Sequence, residues 1–156
     1  HVAPAQINLE ITETAAAHSD MLENNIKILH KQGIEFSLDD YGSGYSNTDY
    51  LFRFPFRIVK IDKTILWEAF KNEKAMIALR NTIRMIKELG LEIVVEGVEN
   101  QEYVDYLTEQ HCDYLQGYFY SKPIPDRDFL ELLRRENVQY YAERFSKNEL
   151  SDIITT

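Results

Sequence analysis

Cysteine, histidine and basic charge are all scarce in this chain. One cysteine, Cys112, in 156 residues excludes an internal disulfide and a cysteine-rich zinc site, and it suits a reducing cytoplasm. His18, His30 and His111 have no metal-ligand spacing with one another or with Cys112. Six glycines and four prolines are too few for a collagen-like or low-complexity chain. No apolar run approaches the ~20 residues of a membrane span, and the first residues lack the charged-then-apolar pattern of a signal peptide. Lys and Arg number 17 against 26 Asp and Glu, a formal charge of −9. Such a chain is a poor partner for a DNA or RNA duplex, whose phosphates need clustered cations. A small phosphate ligand stays open if metal ions on carboxylates reverse the local sign.

What is present is an ordinary globular composition, enough for one mid-sized core. The chain is too short for a closed (β/α)8 barrel of about 250 residues. Residues 7–11 form a β-rich run. Ser19 is placed to cap a helix carrying Met21, Leu22, Ile26 and Leu29, with Gly33 after its end. Residues 34–38 alternate as a strand into Asp39-Asp40, and a turn-rich loop follows from Asp40 to Tyr45. A short helix over 46–54 stops at Pro55. Residues 57–62 form a strand, and a long helical stretch follows, clearest from 73 to 89, with Ile77, Ile83 and Ile86 on its apolar face. Residues 91–96 read as a strand buried on both faces. Asn100 caps a helix over 101–110, residues 114–120 form a further strand, and an amphipathic helix runs from Asp126 to about Glu136. Residues 137–156 are polar, a helical extension or tail to a domain over 1–136. Five strands alternating with helices predict a parallel α/β sheet, and barrels and open doubly wound sheets both satisfy that pattern.

The charges are more informative than the periodicity. Almost every apolar strand has polar residues at or near its C-terminal end: Glu10 and Glu13, Asp39 and Asp40, Lys60 and Asp62, Glu96, then Gln116. Parallel α/β folds bring those ends to one side, where active sites lie. Carboxylates converging without His or Cys suggest hard, oxygen-loving cations, Mg²⁺, Mn²⁺ or Ca²⁺, over zinc or copper. Two such ions about 3.5–4 Å apart are the usual device for phosphodiester cleavage. Singly, each residue also reads as a helix cap, a solvated loop residue or a satisfied polar group. Gly42-Ser43-Gly44 is neither a dinucleotide fingerprint nor a P-loop.

Five runs, in order, are similar to one family. They are Leu9-Glu10-Ile11-Thr12-Glu13, the segment from Leu38 to Tyr45, Val59-Lys60-Ile61-Asp62, Val95-Glu96-Gly97-Val98-Glu99, and Gln116-Gly117-Tyr118 followed by Ser121-Lys122-Pro123. Together they resemble the EAL-domain cyclic di-GMP phosphodiesterases over residues 7–133. Tyr41 stands where that family usually has Phe, and Val95 where it often has Ala. The resemblance implies a TIM-barrel-like (β/α) fold, here a partial barrel of about the last five β/α units. It implies hydrolysis of cyclic di-GMP to linear pGpG with two Mg²⁺ or Mn²⁺ ions. Carried over by motif, Glu10, Asp39, Asp40 and Glu96 are metal ligands, with Glu96 alternatively the general base. Lys60 contacts the nucleophilic water or a metal-bound oxygen, and Gln116 positions water. Glu13 anchors the loop from Asp40 to Tyr45, and Glu99 assists it.

The family's naming glutamate, a nearby phosphate-binding arginine and an asparagine ligand lie upstream of all these runs, and this sequence contains none of them. Glu131-Leu132-Leu133 looks similar but falls in the last helix. The expectation is therefore that this span alone binds metal weakly and is inactive. A degenerate sensor or interaction module is the alternative. Unpaired sheet edges are expected to recruit a second copy. The parent is expected in the cytoplasm, with tethering possible only through other domains.

Overall fold

The computed structural model describes residues 2–16, 20–44 and 48–144. It divides into two units, His1–Tyr120 and Ser121–Thr156. The first holds strands β1 (Asn8–Thr12), β2 (Glu35–Tyr41), β3 (Ile58–Ile61), β4 (Glu92–Val95) and β5 (Tyr114–Leu115). Helices α1 (Glu13–Ala16), α2 (Asp20–Lys31), α3 (Tyr50–Arg53), α4 (Lys63–Ala69), α5 (Glu73–Glu88) and α6 (Gln101–Glu109) lie between them. The second unit contains α7 (Asp126–Arg144), which continues eight residues past the expected end at Glu136.

All strand pairs are parallel and the order is β1-β2-β3-β4-β5. A doubly wound sheet reverses its order at a switch point, whereas a barrel winds in one direction. The unbroken order selects barrel-type winding, the choice periodicity had left open.

Register and the two-residue side-chain period sort the sheet into two faces. Leu38, Val59, Ile61, Ile93 and Val95 share one face and are wholly buried. The helices supply the rest of this core: Ile26 of α2, Leu66 of α4, Leu79, Ile83 and Ile86 of α5, and Leu107 of α6. The other face carries Asn8, Glu10, Ser37, Asp39 and Lys60. Ser37 Oγ donates to Asn8 Oδ1 at 2.7 Å, pairing two polar groups across β1 and β2. β4 is therefore buried on one face only, with Glu92 and Val94 half-buried on the other, which corrects the two-sided burial expected of it.

Other expectations also change. The helical stretch after Asp62 is two helices, because Asn72 leaves the helical backbone and its side chain accepts from Lys74 N at 2.9 Å to cap α5. Ile77 is 44% exposed, since the α5 stripe follows Leu79, Ile83 and Ile86, spaced four and three residues apart. β5 ends at Leu115, short of the expected Tyr120. Beyond it Val98 N–H takes Gln116 O at 3.1 Å, and the chain turns as Tyr120 N–H takes Gly117 O at 3.1 Å. The short helix before Pro55 is described only from Tyr50 to Arg53, with Ser46 and Asn47 outside the described residues. Ser19, expected to cap α2, is also outside them.

Candidate metal and phosphodiester site

The site forms where the C-terminal ends of β1 to β5 meet. Lys60, on the polar face of β3, is at its centre. Its Nζ lies 2.7 Å from Asp39 Oδ1, 3.0 Å from Glu96 Oε1 and 3.2 Å from Glu10 Oε1. Its side chain is 11% exposed, against 53% for Glu10. Burial pushes the Lys60 ammonium toward the neutral form. Asp39, Glu96 and Glu10 more than offset this, and the net shift is upward. These three carboxylates favour the charged ammonium of Lys60.

A second group adjoins the first through Glu96. Carboxylate oxygens of Asp40, Asp62 and Glu96 all lie within 4.8 Å of one another. The sheet achieves this with an irregularity in β2. Leu38 pairs with Val59 but Tyr41 pairs with Ile61, so β2 spends one more residue than β3 over the same step. In a regular strand, neighbouring side chains face opposite ways. The extra residue lets Asp39 reach Lys60 while Asp40 joins Asp62 and Glu96. Asp40 takes φ 57°, a left-handed conformation that Asp tolerates better than most non-glycine residues. Asp40 O then accepts from Ser43 N at 3.0 Å, opening the loop.

Asp62 is among the strand-end residues expected to converge, and singly it reads as a cap or loop anchor. It does cap α4, its Oδ1 accepting from Thr64 N at 2.9 Å and from the Thr64 hydroxyl. It also belongs to the carboxylate group. The rule that drew attention to Glu96, a polar residue just past an apolar strand, applies to it equally.

Glu13 lies apart from these groups, at the start of α1 and 5% exposed. Its Oε2 accepts from Gly42 N at 3.1 Å, joining α1 to the loop after β2. Burial first, and then the Glu13 charge, push the Tyr41 hydroxyl upward. Gln116 and Glu99 line a cleft with Glu96, Lys63, Trp67 and Tyr118. Tyr45, the last residue of the expected loop, lies outside the described residues.

The donor set fits divalent cations. Three carboxylates contact the Lys60 ammonium and two more adjoin Glu96, and like charges this close need neutralising. All of these donors are hard oxygens suited to Mg²⁺ or Mn²⁺. The family model described as the EAL domain matches residues 1–123. The chain belongs to the EAL domain family. It is 35% identical over 133 residues to the cyclic di-GMP phosphodiesterase RocR of Pseudomonas aeruginosa, an alignment covering 84% of this chain and 34% of that protein. Its fold matches the PaMucR phosphodiesterase in a c-di-GMP complex, with TM-score 0.77 and 31% identity over 82% of this chain and 52% of that one. It also matches Klebsiella pneumoniae BlrP1 in a manganese/c-di-GMP complex, with TM-score 0.72 and 28% identity over 78% of this chain and 31% of that one. The chain spans about a third or less of the length of the curated EAL relatives it matches.

Proposed function

We propose that this chain provides the later half of a phosphodiesterase site for cyclic di-GMP. The observation that carries the reading is Lys60 held among Glu10, Asp39 and Glu96, beside the Asp40, Asp62 and Glu96 carboxylates. In the reaction a water oxygen bonds to one phosphorus, the bond to the ribose 3′ oxygen breaks, and that oxygen takes a proton. The product is linear pGpG. Glu10, Asp39, Asp40 and, unless it is the base, Glu96 would hold Mg²⁺ or Mn²⁺, and such ions would lower the pKa of bound water and neutralise phosphate charge. Lys60 sets a permanent positive charge beside the attacked phosphate. Glu96, where it does not serve as a ligand, accepts the proton of the attacking water. Gln116, across the cleft, orients that water. Glu13 steadies the loop after Asp40 through Gly42, and Glu99 supports the same region from the cleft wall.

This span alone binds the ions weakly and does not turn over, because the ligand set implied by the resemblance is incomplete. We assign residues 1–136 to the partial domain and 137–156 to an extension. We place the parent in the cytoplasm, consistent with one unpaired cysteine. Among the described residues no helix is long and apolar enough to cross a membrane. Isothermal titration with Mn²⁺, run beside chromatography of cyclic di-GMP incubations, tests the reading. Weak Mn²⁺ binding that Asp39→Asn abolishes, with no pGpG formed, is expected. Robust turnover would overturn the inactivity. Tight cyclic di-GMP binding that needs no metal would favour the sensor alternative.

A further inference from the structure

Glu96 belongs to both carboxylate groups, yet it lies one residue beyond the end of β4. Glu96 N–H donates to Ile61 O at 3.1 Å, tying it to β3. The chain then leaves the strand at Gly97, whose φ is +71°. The Gly97 carbonyl is taken up by a side chain. Trp67 Nε1, about one turn into α4, donates to it at 2.9 Å. A Cβ at Gly97 would lie 3.0 Å from that same Nε1 and would collide with Lys63. The helix holding this donor is itself capped by Asp62. One short helix therefore ties the Asp62 carboxylate to the backbone that carries Glu96.

We propose that Trp67 is a positioning residue for Glu96. By holding the Gly97 carbonyl it fixes the turn that sets the Glu96 carboxylate between Lys60 and the Asp40–Asp62 pair. The inference rests on the metal-site reading above and adds a residue to which the family motifs give no role. Partners that orient a metal ligand typically account for 10–100-fold in metal affinity.

Trp67 is the only tryptophan, so a label placed on tryptophan reports one site. Mn²⁺ affinity is measured by electron paramagnetic resonance on the full chain, on Glu96→Gln, and on chain with Trp67 replaced by benzothienylalanine. That analogue keeps the ring outline and removes the N–H. A second variant, W67F, is measured alongside, with thermal melts of each. The parent chain labelled with 5-fluorotryptophan is titrated with Mg²⁺ and followed by fluorine NMR. The expected results are about a tenfold weaker Mn²⁺ affinity in the analogue at unchanged melting temperature, and a fluorine shift with Mg²⁺ that Glu96→Gln abolishes. Unchanged affinity in the analogue overturns the role of Trp67 and leaves the metal site standing. Equal Mn²⁺ binding by the parent and Glu96→Gln, or none by the parent, overturns the metal-site reading and this proposal with it.

Discussion

Asp40 accepts an unfavourable backbone so that its carboxylate reaches Asp62 and Glu96. Asparagine tolerates the same left-handed region and removes one of the mutually repelling charges. Asp40→Asn is expected to melt at the same temperature as the parent or higher in metal-free buffer, and to lose Mn²⁺ binding in calorimetry. A lower melting temperature would show that the carboxylate stabilises the fold. Cys112 poses a separate question of reactivity. Burial pushes its thiol up to about 12, with Lys87 opposing and Asp113 adding to the shift. Thiolate is the reactive form, so the folded chain holds little of it at pH 8 and more only as the pH rises toward that value. Alkylation by iodoacetamide at pH 8 is expected to be at least about tenfold slower in buffer than in urea. Equal rates would mean an accessible, ordinary thiol.

Helices and strands were legible in the sequence where local pattern decides them. Asn100, expected as a cap, accepts from Tyr103 N at 2.9 Å. The strands around Leu38, Val59 and Ile93 declared themselves by apolar content. Strand ends also pointed to Glu10, Asp39, Lys60 and Glu96, because parallel winding gathers those ends whatever the loops do. What was not legible depends on pairing between distant segments. The extra residue in β2 exists only relative to β3. The short β5 follows from the close approach of Gly117 to the Val98 backbone, where no Cβ would fit. The Trp67 bond spans thirty positions in sequence. On α6, Tyr106 packs edge-on against Phe70 with ring centroids 5.6 Å apart. Its hydroxyl is buried with no partner among the described residues. A buried polar group without a partner costs free energy, so Tyr106→Phe is expected to be neutral or to stabilise by up to about 1 kcal/mol in urea denaturation. A clear loss of stability would reveal a partner for that hydroxyl.

Over the whole first unit, the sheet has one apolar face, buried along β2 to β4, and one polar face that converges on the site. β1 forms one end of the sheet order, and Leu9 on it is 37% exposed. A strand edge of this kind offers unpaired backbone groups to another chain. We expect the isolated chain to self-associate through such edges, and light scattering across a concentration series checks this. A monomer at every concentration would show that the edges are protected. Acidic charge works against association at low salt, so added salt should favour the larger species.

The irregularity in β2 also gives a way to separate robustness from chemistry. Deleting Asp40 would let β2 and β3 run in even step and remove a strained backbone, leaving the sheet more regular. The same deletion would leave Asp62 and Glu96 without their third carboxylate. A selection for folding alone would favour the shorter strand. A selection for ion binding would keep the longer one, so the two pressures can be told apart at a single position.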